Sequence, residues 1–172
     1  NLSKSQSKGA CFGNADLESA NFEKADLEES NFRKARLFRA NLGLVNLEEA
    51  ILIRANLNES YVRGADLKRA NLNRAKLNRA HLEGSYFGEA NLEKARIEEA
   101  HLDETDFEEA NLRDARLNNS ILKHVNFKDA NLERANLVGT NLEGAILRQA
   151  NLHKTVLESA NLKEADFRKA NL

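Results

Sequence analysis

The chain has 172 residues, of which 26 are Lys or Arg and 27 are Asp or Glu, so its formal net charge is -1. This balance argues against a nonspecific nucleic-acid binder, which would have an excess of basic residues. The one cysteine, Cys11, excludes an internal disulfide framework. No apolar run is long enough for a transmembrane helix and no signal peptide is recognisable, so we expect no membrane contact and favour a soluble cytoplasmic protein over a secreted one.

The first nine residues lack the pattern that governs the rest of the chain. Ser7 occupies a position at which that pattern requires an apolar residue, within the polar stretch SKSQSKG at residues 3–9. We therefore predict an irregular N-terminal leader over residues 1–9, followed by one repeat domain over residues 10–172.

The repeat domain has a period of five residues. From residue 12 to residue 172 every fifth residue is apolar, at 33 positions without exception: 24 are Leu, seven are Phe, and the others are Val62 and Ile97. A small residue, most often Ala, stands two positions before each of them, and the two residues that follow are mostly charged.

This period fits neither an α-helix nor a flat strand. Five residues advance about 140° around a helix, so the apolar positions would be spread over the whole cylinder. On a flat strand five is an odd number, so successive apolar residues would point to opposite faces. A chain that turns a corner every five residues instead sends each apolar residue inward, and stacked coils supply the backbone hydrogen bonds.

Similar side chains also recur at a spacing of twenty residues. One series consists of asparagines and another of phenylalanines: Asn71, Asn91, Asn111, Asn131, Asn151 and Asn171, and Phe87, Phe107 and Phe127. Four five-residue segments therefore complete one coil, and like side chains stack on like. About eight coils at a spacing of about 4.8 Å predict a rod on the order of 40 Å long.

Several segments resemble the motif A(D/N)LXX of the pentapeptide-repeat family: ADLES at 15–19, ADLEE at 25–29, ANLNR at 70–74 and ANLER at 130–134. The resemblance covers nearly the whole chain. It implies an all-β fold, a right-handed quadrilateral β-helix with four pentapeptides in each coil. It also implies a possible role, because some members resemble duplex DNA and protect type II topoisomerases from toxins or quinolones.

If coils repeat at twenty residues, the outward charges can be summed for each of four faces. One face has a net charge of +5 and the face before it along the chain has -6, whereas the other two have 0 and -2. The candidate basic face comprises Arg33, Lys34, Arg54, Arg74, Lys94, Arg113, Arg134 and Lys154. The candidate acidic docking face comprises Asp26, Glu28, Glu29, Glu48, Glu49, Asp66, Glu89, Asp106, Glu108, Glu109, Asp129 and Asp166. Long charged side chains that only keep the rod soluble are the simpler interpretation of both faces.

Outward apolar residues form a second kind of candidate site. Phe38, Leu44, Ile51 and Ile53 lie close together in the sequence and are a candidate apolar contact. The chain also stops on ANL with no polar cap, so the last coil is a candidate for end-to-end self-association.

The residues give no support for catalysis or a cofactor. His81 and His101 would stack one coil apart, but zinc usually needs three or four protein ligands and nothing beside them completes a set. The paired carboxylates lie in solvent with no sheltered cleft to shift their pKa values, and Cys11 has no evident base. We therefore expect no enzymatic activity, no metal and no cofactor.

Three functions remain open. The preferred one is a non-catalytic interaction or scaffold module that presents charged faces to a protein partner whose identity the sequence does not give. The alternatives are a DNA mimic that protects or inhibits a type II topoisomerase such as gyrase, and a structural spacer or idealised repeat design. Direct nucleic-acid binding is not expected, because the basic face has no aromatic platform and no Gly-rich phosphate loop.

Overall fold

The chain forms one continuous stack of square coils. The structure, a computed structural model that describes all 172 residues, contains no helix and no strand longer than a single bridge residue. From Gln6 to Asn171 every fifth residue forms a parallel bridge to the residue twenty positions away, as between Asn91 and Asn111. Two turn residues separate each inward apolar residue from the small residue that starts the next segment. The fold prediction, a right-handed quadrilateral β-helix with four pentapeptides in each coil, is confirmed.

Backbone hydrogen bonds join each coil to the next and close each corner. Leu92 N–H donates to the Asn111 carbonyl at 2.8 Å, and Asn91 N–H donates to the Ala70 carbonyl at 2.9 Å, so each segment bonds to the coils on both sides. Within the corner, Ala95 N–H donates to the Leu92 carbonyl at 2.9 Å. The stack therefore supplies partners that an isolated coil lacks.

The interior is a filled apolar column. It contains 47 buried hydrophobic residues, and the phenylalanines stack with ring centroids 5.0 Å apart for Phe87–Phe107 and 5.2 Å apart for Phe107–Phe127. Six buried Ser and Thr residues replace Ala in the small position, and each hydroxyl donates to a backbone carbonyl, as Ser85 does to Val62 at 2.6 Å. These six side chains are thus satisfied inside the column, whereas the Ser5 hydroxyl in the first coil is buried without a hydrogen-bond partner.

Residues 1–9 continue the coil, which differs from the predicted irregular leader. Leu2 N–H donates to the Asn21 carbonyl at 2.7 Å, and Ser7 N–H donates to the Asp26 carbonyl at 2.8 Å. The corresponding residues of the later coils make the same bonds as far as Leu152, whose N–H donates to the Asn171 carbonyl. Ser7 keeps its place because they depend on the backbone and not on an apolar side chain.

The last coil is less buried than those in the middle of the rod. Val156, Leu162 and Leu172 are 45%, 38% and 77% exposed, and Leu157 and Phe167 are only partly buried. The apolar column is therefore only partly covered in the last coil.

The corners require a backbone conformation with positive φ that the residue types in the sequence do not predict. In each five-residue segment from Lys4 to Lys169, the second turn residue has a positive φ, and at most of these positions it is not glycine, with φ between 54° and 61°. A positive φ at the third residue of a four-residue turn is the geometry of a type II turn, which favours Gly or Asn there. Each Glu, Lys or Arg in this position therefore costs free energy that the packed column offsets.

Substitutions at Glu104 test this conformation. Glu104 has φ 58°, is exposed and has no ion pair. We expect Glu104→Val to lower the free energy of unfolding by about 1–2 kcal/mol relative to Glu104→Gln, because a β-branched side chain suits a positive φ poorly. Glu104→Asn, which tolerates this conformation, should be no less stable than Glu104→Gln. Urea denaturation followed by circular dichroism measures all three, and equal stability of Val and Gln would contradict the argument.

Candidate interaction surfaces

The repeat of twenty residues assigns every outward side chain to one of four sides. We number them in chain order, so that in one coil side 1 carries residues 101–104, side 2 residues 106–109, side 3 residues 111–114 and side 4 residues 116–119. Residues twenty positions earlier or later occupy the same place in the neighbouring coils. Side chains in the same place therefore form columns that run along the rod.

Side 2 carries all twelve residues of the candidate acidic face, but most of them are paired. Lys8 lies 2.9 Å from Glu28 and 3.1 Å from Glu29, and Arg69 contacts both Glu48 and Glu49. Glu108 pairs with Lys128 of the next coil, and their hydrogen bond raises the pKa of Lys128. The four carboxylates of this face without a cation within 4.0 Å are Asp26, Glu89, Asp106 and Glu109.

Side 3 carries the candidate basic face, which divides into two parts along the rod. In the C-terminal part, Arg134 contacts Asp114 at 2.7 Å and Arg113 contacts Glu133 at 3.6 Å. The hydrogen bond from Arg134 lowers the pKa of Asp114, so this pair is held in its charged form. In the N-terminal part, the exposed side chains of Arg33, Lys34, Arg54 and Arg74 have no carboxylate within 4.0 Å. Lys94 contacts Glu93. Lys154, in the C-terminal part, is the one cation there without an ion pair.

The unpaired charges of the whole molecule are concentrated in two patches. Eight cations lack a carboxylate within 4.0 Å, and five of them form what we call the basic patch, at the corner between sides 3 and 4: Arg33, Lys34, Arg54, Arg74 and Lys76. Seven carboxylates lack a cation, and five of them form the acidic patch, on sides 1 and 2: Glu89, Asp103, Glu104, Asp106 and Glu109.

The four apolar candidates do not form one surface. Phe38 lies on side 4, where the Arg39 guanidinium sits 4.8 Å from its ring centroid, and Leu44 lies on side 1. Leu44 is 56% exposed and covers Gly64 of the next coil, where a Cβ atom would come within 2.8 Å of Leu44 Cδ2. Ile51 and Ile53 are together on side 3, half-buried, beside the basic patch.

Side 1 carries a short column of flat side chains with a groove on each side of its first member. The Tyr61 and His81 rings are 5.0 Å apart and nearly parallel, and His101 stacks on His81 at 5.0 Å. The grooves beside Tyr61, of about 360 Å³ and about 390 Å³, are open to solvent. Nowhere in the chain do three or more His, Cys, Asp or Glu side chains meet in an arrangement that could hold a metal ion.

Some patch residues were not among the sequence candidates. Lys76 belongs to side 4, and Asp103 and Glu104 belong to side 1, so sums over one face do not select them. The signal that identifies them is the order of charges within a column. Where the sign alternates at a spacing of twenty, as from Arg39 to Glu59, the charges pair at 2.8 Å.

The structure contains no helical segment with the length and apolarity needed to cross a lipid bilayer. No curated protein sequence matches the chain.

Among the solved structures that resemble this rod are two whose names indicate a biological role. HetL, a pentapeptide repeat protein involved in heterocyst differentiation regulation in the cyanobacterium Nostoc sp. strain PCC 7120, is 31% identical; the match covers 96% of this chain and 81% of HetL, with a TM-score of 0.55. A trypsin-treated variant of QnrB1, a plasmid-mediated fluoroquinolone resistance protein, is 16% identical over 85% of this chain and 73% of its own, with a TM-score of 0.74, which shows a shared fold.

The repeat itself identifies the family. The family model for pentapeptide repeats matches in eight copies, over residues 10–48, 30–69, 65–103, 100–137, 110–149 and 135–172. Together these matches span the entire region of regular five-residue periodicity. The chain therefore belongs to the pentapeptide-repeat family.

Proposed function

We propose that this chain is a non-catalytic interaction module that holds a protein partner on its charged sides. The observation that carries the proposal is the uneven distribution of unpaired charge. Most charged residues pair with a neighbour, whereas five cations and five carboxylates without partners are gathered in two patches. If charge served only solubility, unpaired residues of both signs would be scattered over the rod.

The interior and the relatives support the same proposal. The column is filled by buried side chains, and the surface grooves are open, so the rod offers no sheltered site in which pKa values could be tuned for acid–base chemistry. HetL, at 31% identity, is involved in the regulation of heterocyst differentiation, and a regulatory role suits a protein that acts by recognition.

Affinity capture with a matched bait tests the proposal. The native chain and a variant that loses two charges from each patch (Arg54→Ala, Arg74→Ala, Glu104→Ala and Glu109→Ala) are immobilised and exposed to extract of the source organism at low salt. We expect at least one protein to be retained by the native bait and lost from the variant. Recovery of the same proteins on both baits, or of none, would contradict the proposal. The variant changes four exposed side chains and leaves the column intact.

The two alternative functions have narrower support. A DNA mimic would present a row of free carboxylates, but eight of the twelve acidic-face residues are paired with cations, and the resemblance to QnrB1 at 16% identity concerns the fold. A gyrase supercoiling assay that showed inhibition, or rescue from a quinolone, would nevertheless favour the mimic. A structural spacer would tolerate loss of both patches in the cell without loss of function.

A further inference from the structure

One column of turn residues on the rod has four cations in succession. Lys34, Arg54, Arg74 and Lys94 occupy the same corner position in four consecutive coils, about 4.8 Å apart along the rod. The backbone bonds from Lys34 N–H to the Ile53 carbonyl at 2.9 Å and from Arg54 N–H to the Asn73 carbonyl at 3.0 Å hold these coils in contact. Like charges at this spacing repel each other, so the column destabilises the rod.

The next corner shows that the same fold readily avoids such repulsion. There the corresponding column reads Arg39, Glu59, Arg79 and Glu99, and the arginines contact the glutamates at 2.8 Å and 2.9 Å. The cationic column instead has Arg33 beside it on side 3 and Lys76 beside it on side 4, with only Glu93 supplying a counter-charge, to Lys94. The unpaired row is therefore a specific feature of this corner.

An apolar strip lies directly beside the row. Ile51 and Ile53 occupy side 3 in the coil that carries Arg54, between Arg33 in the coil before and Asn73 in the coil after. Both isoleucines are half-buried on a flat side, so they add apolar contact area without a pocket. A ligand that lies along this corner would meet cations on one edge and apolar side chains on the other.

We propose that the basic patch, together with Ile51 and Ile53, is the docking surface for an acidic, amphipathic segment of a partner protein. The inference rests on the proposed function and adds the chemistry of the partner. Carboxylates of the segment neutralise Arg33, Lys34, Arg54, Arg74 and Lys76, and apolar residues on its other edge cover the isoleucines. Partner carboxylates thereby supply the counter-charges that the neighbouring corner obtains from within the chain.

A protein segment fits this surface better than a nucleic acid. Side 3, which carries the isoleucines, has no exposed Phe, Tyr or Trp on which a base could stack, and no Gly-rich loop surrounds a phosphate site. Phe38, the one aromatic ring on side 4, already has the Arg39 guanidinium 4.8 Å from its ring centroid. The isoleucines along its apolar edge match leucine or valine of a peptide, whereas a phosphate backbone would leave them uncovered.

Fluorescence anisotropy with synthetic probes tests the proposal. The probes are a labelled acidic peptide with a leucine after every two carboxylates, the same peptide with serine in place of leucine, and an oligo-dT strand. At physiological salt, where the Debye length is about 8 Å, we expect the leucine peptide to bind at least about tenfold more tightly than the serine peptide or the DNA. Equal binding of the two peptides, or tighter binding of DNA, would overturn it.

Charge-reversal variants locate the site. Arg54→Glu combined with Arg74→Glu should weaken the leucine peptide at least about tenfold, and Ile53→Ser should weaken it while leaving the serine peptide unchanged. The control for the single variant Arg54→Glu is Lys154→Glu, which reverses one unpaired cation in the same column, remote from the isoleucines. Loss of binding in the control to the same extent would overturn the assignment.

Two further measurements separate misfolding and self-association from the proposed effect. Arg54→Glu places a carboxylate between Lys34 and Arg74, so its urea midpoint should rise at low salt while peptide binding falls; a lower midpoint would contradict the repulsion. Sedimentation velocity should show that the native chain does not associate with itself through the basic patch. Self-association that Arg54→Glu abolishes would mean that a second copy of the chain, and not a partner segment, covers the patch. If capture from extract succeeds and the peptide fails, the proposed function stands and this partner chemistry is wrong.

Discussion

Replacing Phe107 with alanine should lower the free energy of unfolding by about 3–5 kcal/mol, a large part of the stability of a domain of this size. Phe107 is fully buried, and its ring stacks between Phe87 at 5.0 Å and Phe127 at 5.2 Å. Truncation removes apolar contact with both neighbours and leaves a cavity that stacked coils cannot close, because backbone bonds fix their spacing.

Two further variants separate the cavity from other effects. Phe107→Leu should cost less than about 1.5 kcal/mol, since leucine fills the same position in four other coils, at residues 27, 47, 67 and 147. Phe167→Ala removes an identical side chain from the last coil, where it is only partly buried, so we expect a smaller loss that is confined to that end. Urea denaturation gives the free energies, and hydrogen exchange shows where the amides open. A loss for Phe107→Ala no larger than that for Phe107→Leu would mean that the phenylalanine column is not tightly packed.

The architecture follows from the sequence because two periods in it have one physical solution. An apolar residue every fifth position requires a corner in every segment, and recurrence of Asn71 and Phe87 at a spacing of twenty requires four corners in a coil. Both periods concern side chains that must be buried or stacked, so the pattern is strict. It also covers residues 10–172 without an insertion, which leaves no region where loops could obscure it.

The corner conformation is less visible because the residues that adopt it do not favour it. Glu, Lys and Arg hold a positive φ at most corners, and only a minority of positions, such as Gly64 and Gly84, carry the residue that a turn of this type normally requires. Solvent exposure selects charged side chains there, and the column stabilises the strained backbone from within. Tertiary packing thus overrides local preference.

The surface is predictable at the level of sides but not of patches. Summing charges over side 2 from residue 10 onward gives -6, yet Glu48 and Glu49 pair with Arg69, and Glu108 pairs with Lys128. Which charges remain free depends on the residue one coil away and on the side-chain conformations that bring the two together. A sum of charges over one face includes neither the residues of the next coil nor the side-chain conformations, so it does not identify Lys76 and Glu104 as unpaired.

Three deletions that begin at the same corner should destabilise the rod in an order opposite to their length. We expect loss of Gly84 alone to be more destabilising than loss of residues 84–88, and loss of residues 84–103, one full coil, to leave the fold intact. Gly84 packs no side chain, since an added Cβ atom would have nothing within 4 Å, and the bond from its N–H to the Asp103 carbonyl at 3.0 Å is also lost in the two longer deletions. The effect must therefore come from register.

Removing one residue shifts every later side chain by one place. Gly88 and Glu93 would enter positions that Leu and Phe now fill, and Leu92 would point outward. The chain can restore the register at the lowest free-energy cost if residues 85–88 leave the coil as a loop and residue 89 takes the place of residue 84. That solution resembles the five-residue deletion but must also close a loop of four residues, which costs conformational entropy that the five-residue deletion does not lose.

The longer deletions keep the period of five and differ in the period of twenty. Loss of residues 84–88 rotates everything downstream by one side, so Asn71 stacks on Arg96 instead of Asn91, while the column stays filled. Loss of residues 84–103 preserves both periods. Urea midpoints and far-ultraviolet circular dichroism should rank the variants from most to least stable as twenty, five and one. If the five-residue deletion were the least stable, the stacking of like side chains, rather than burial of the apolar column, would be the main determinant of the fold.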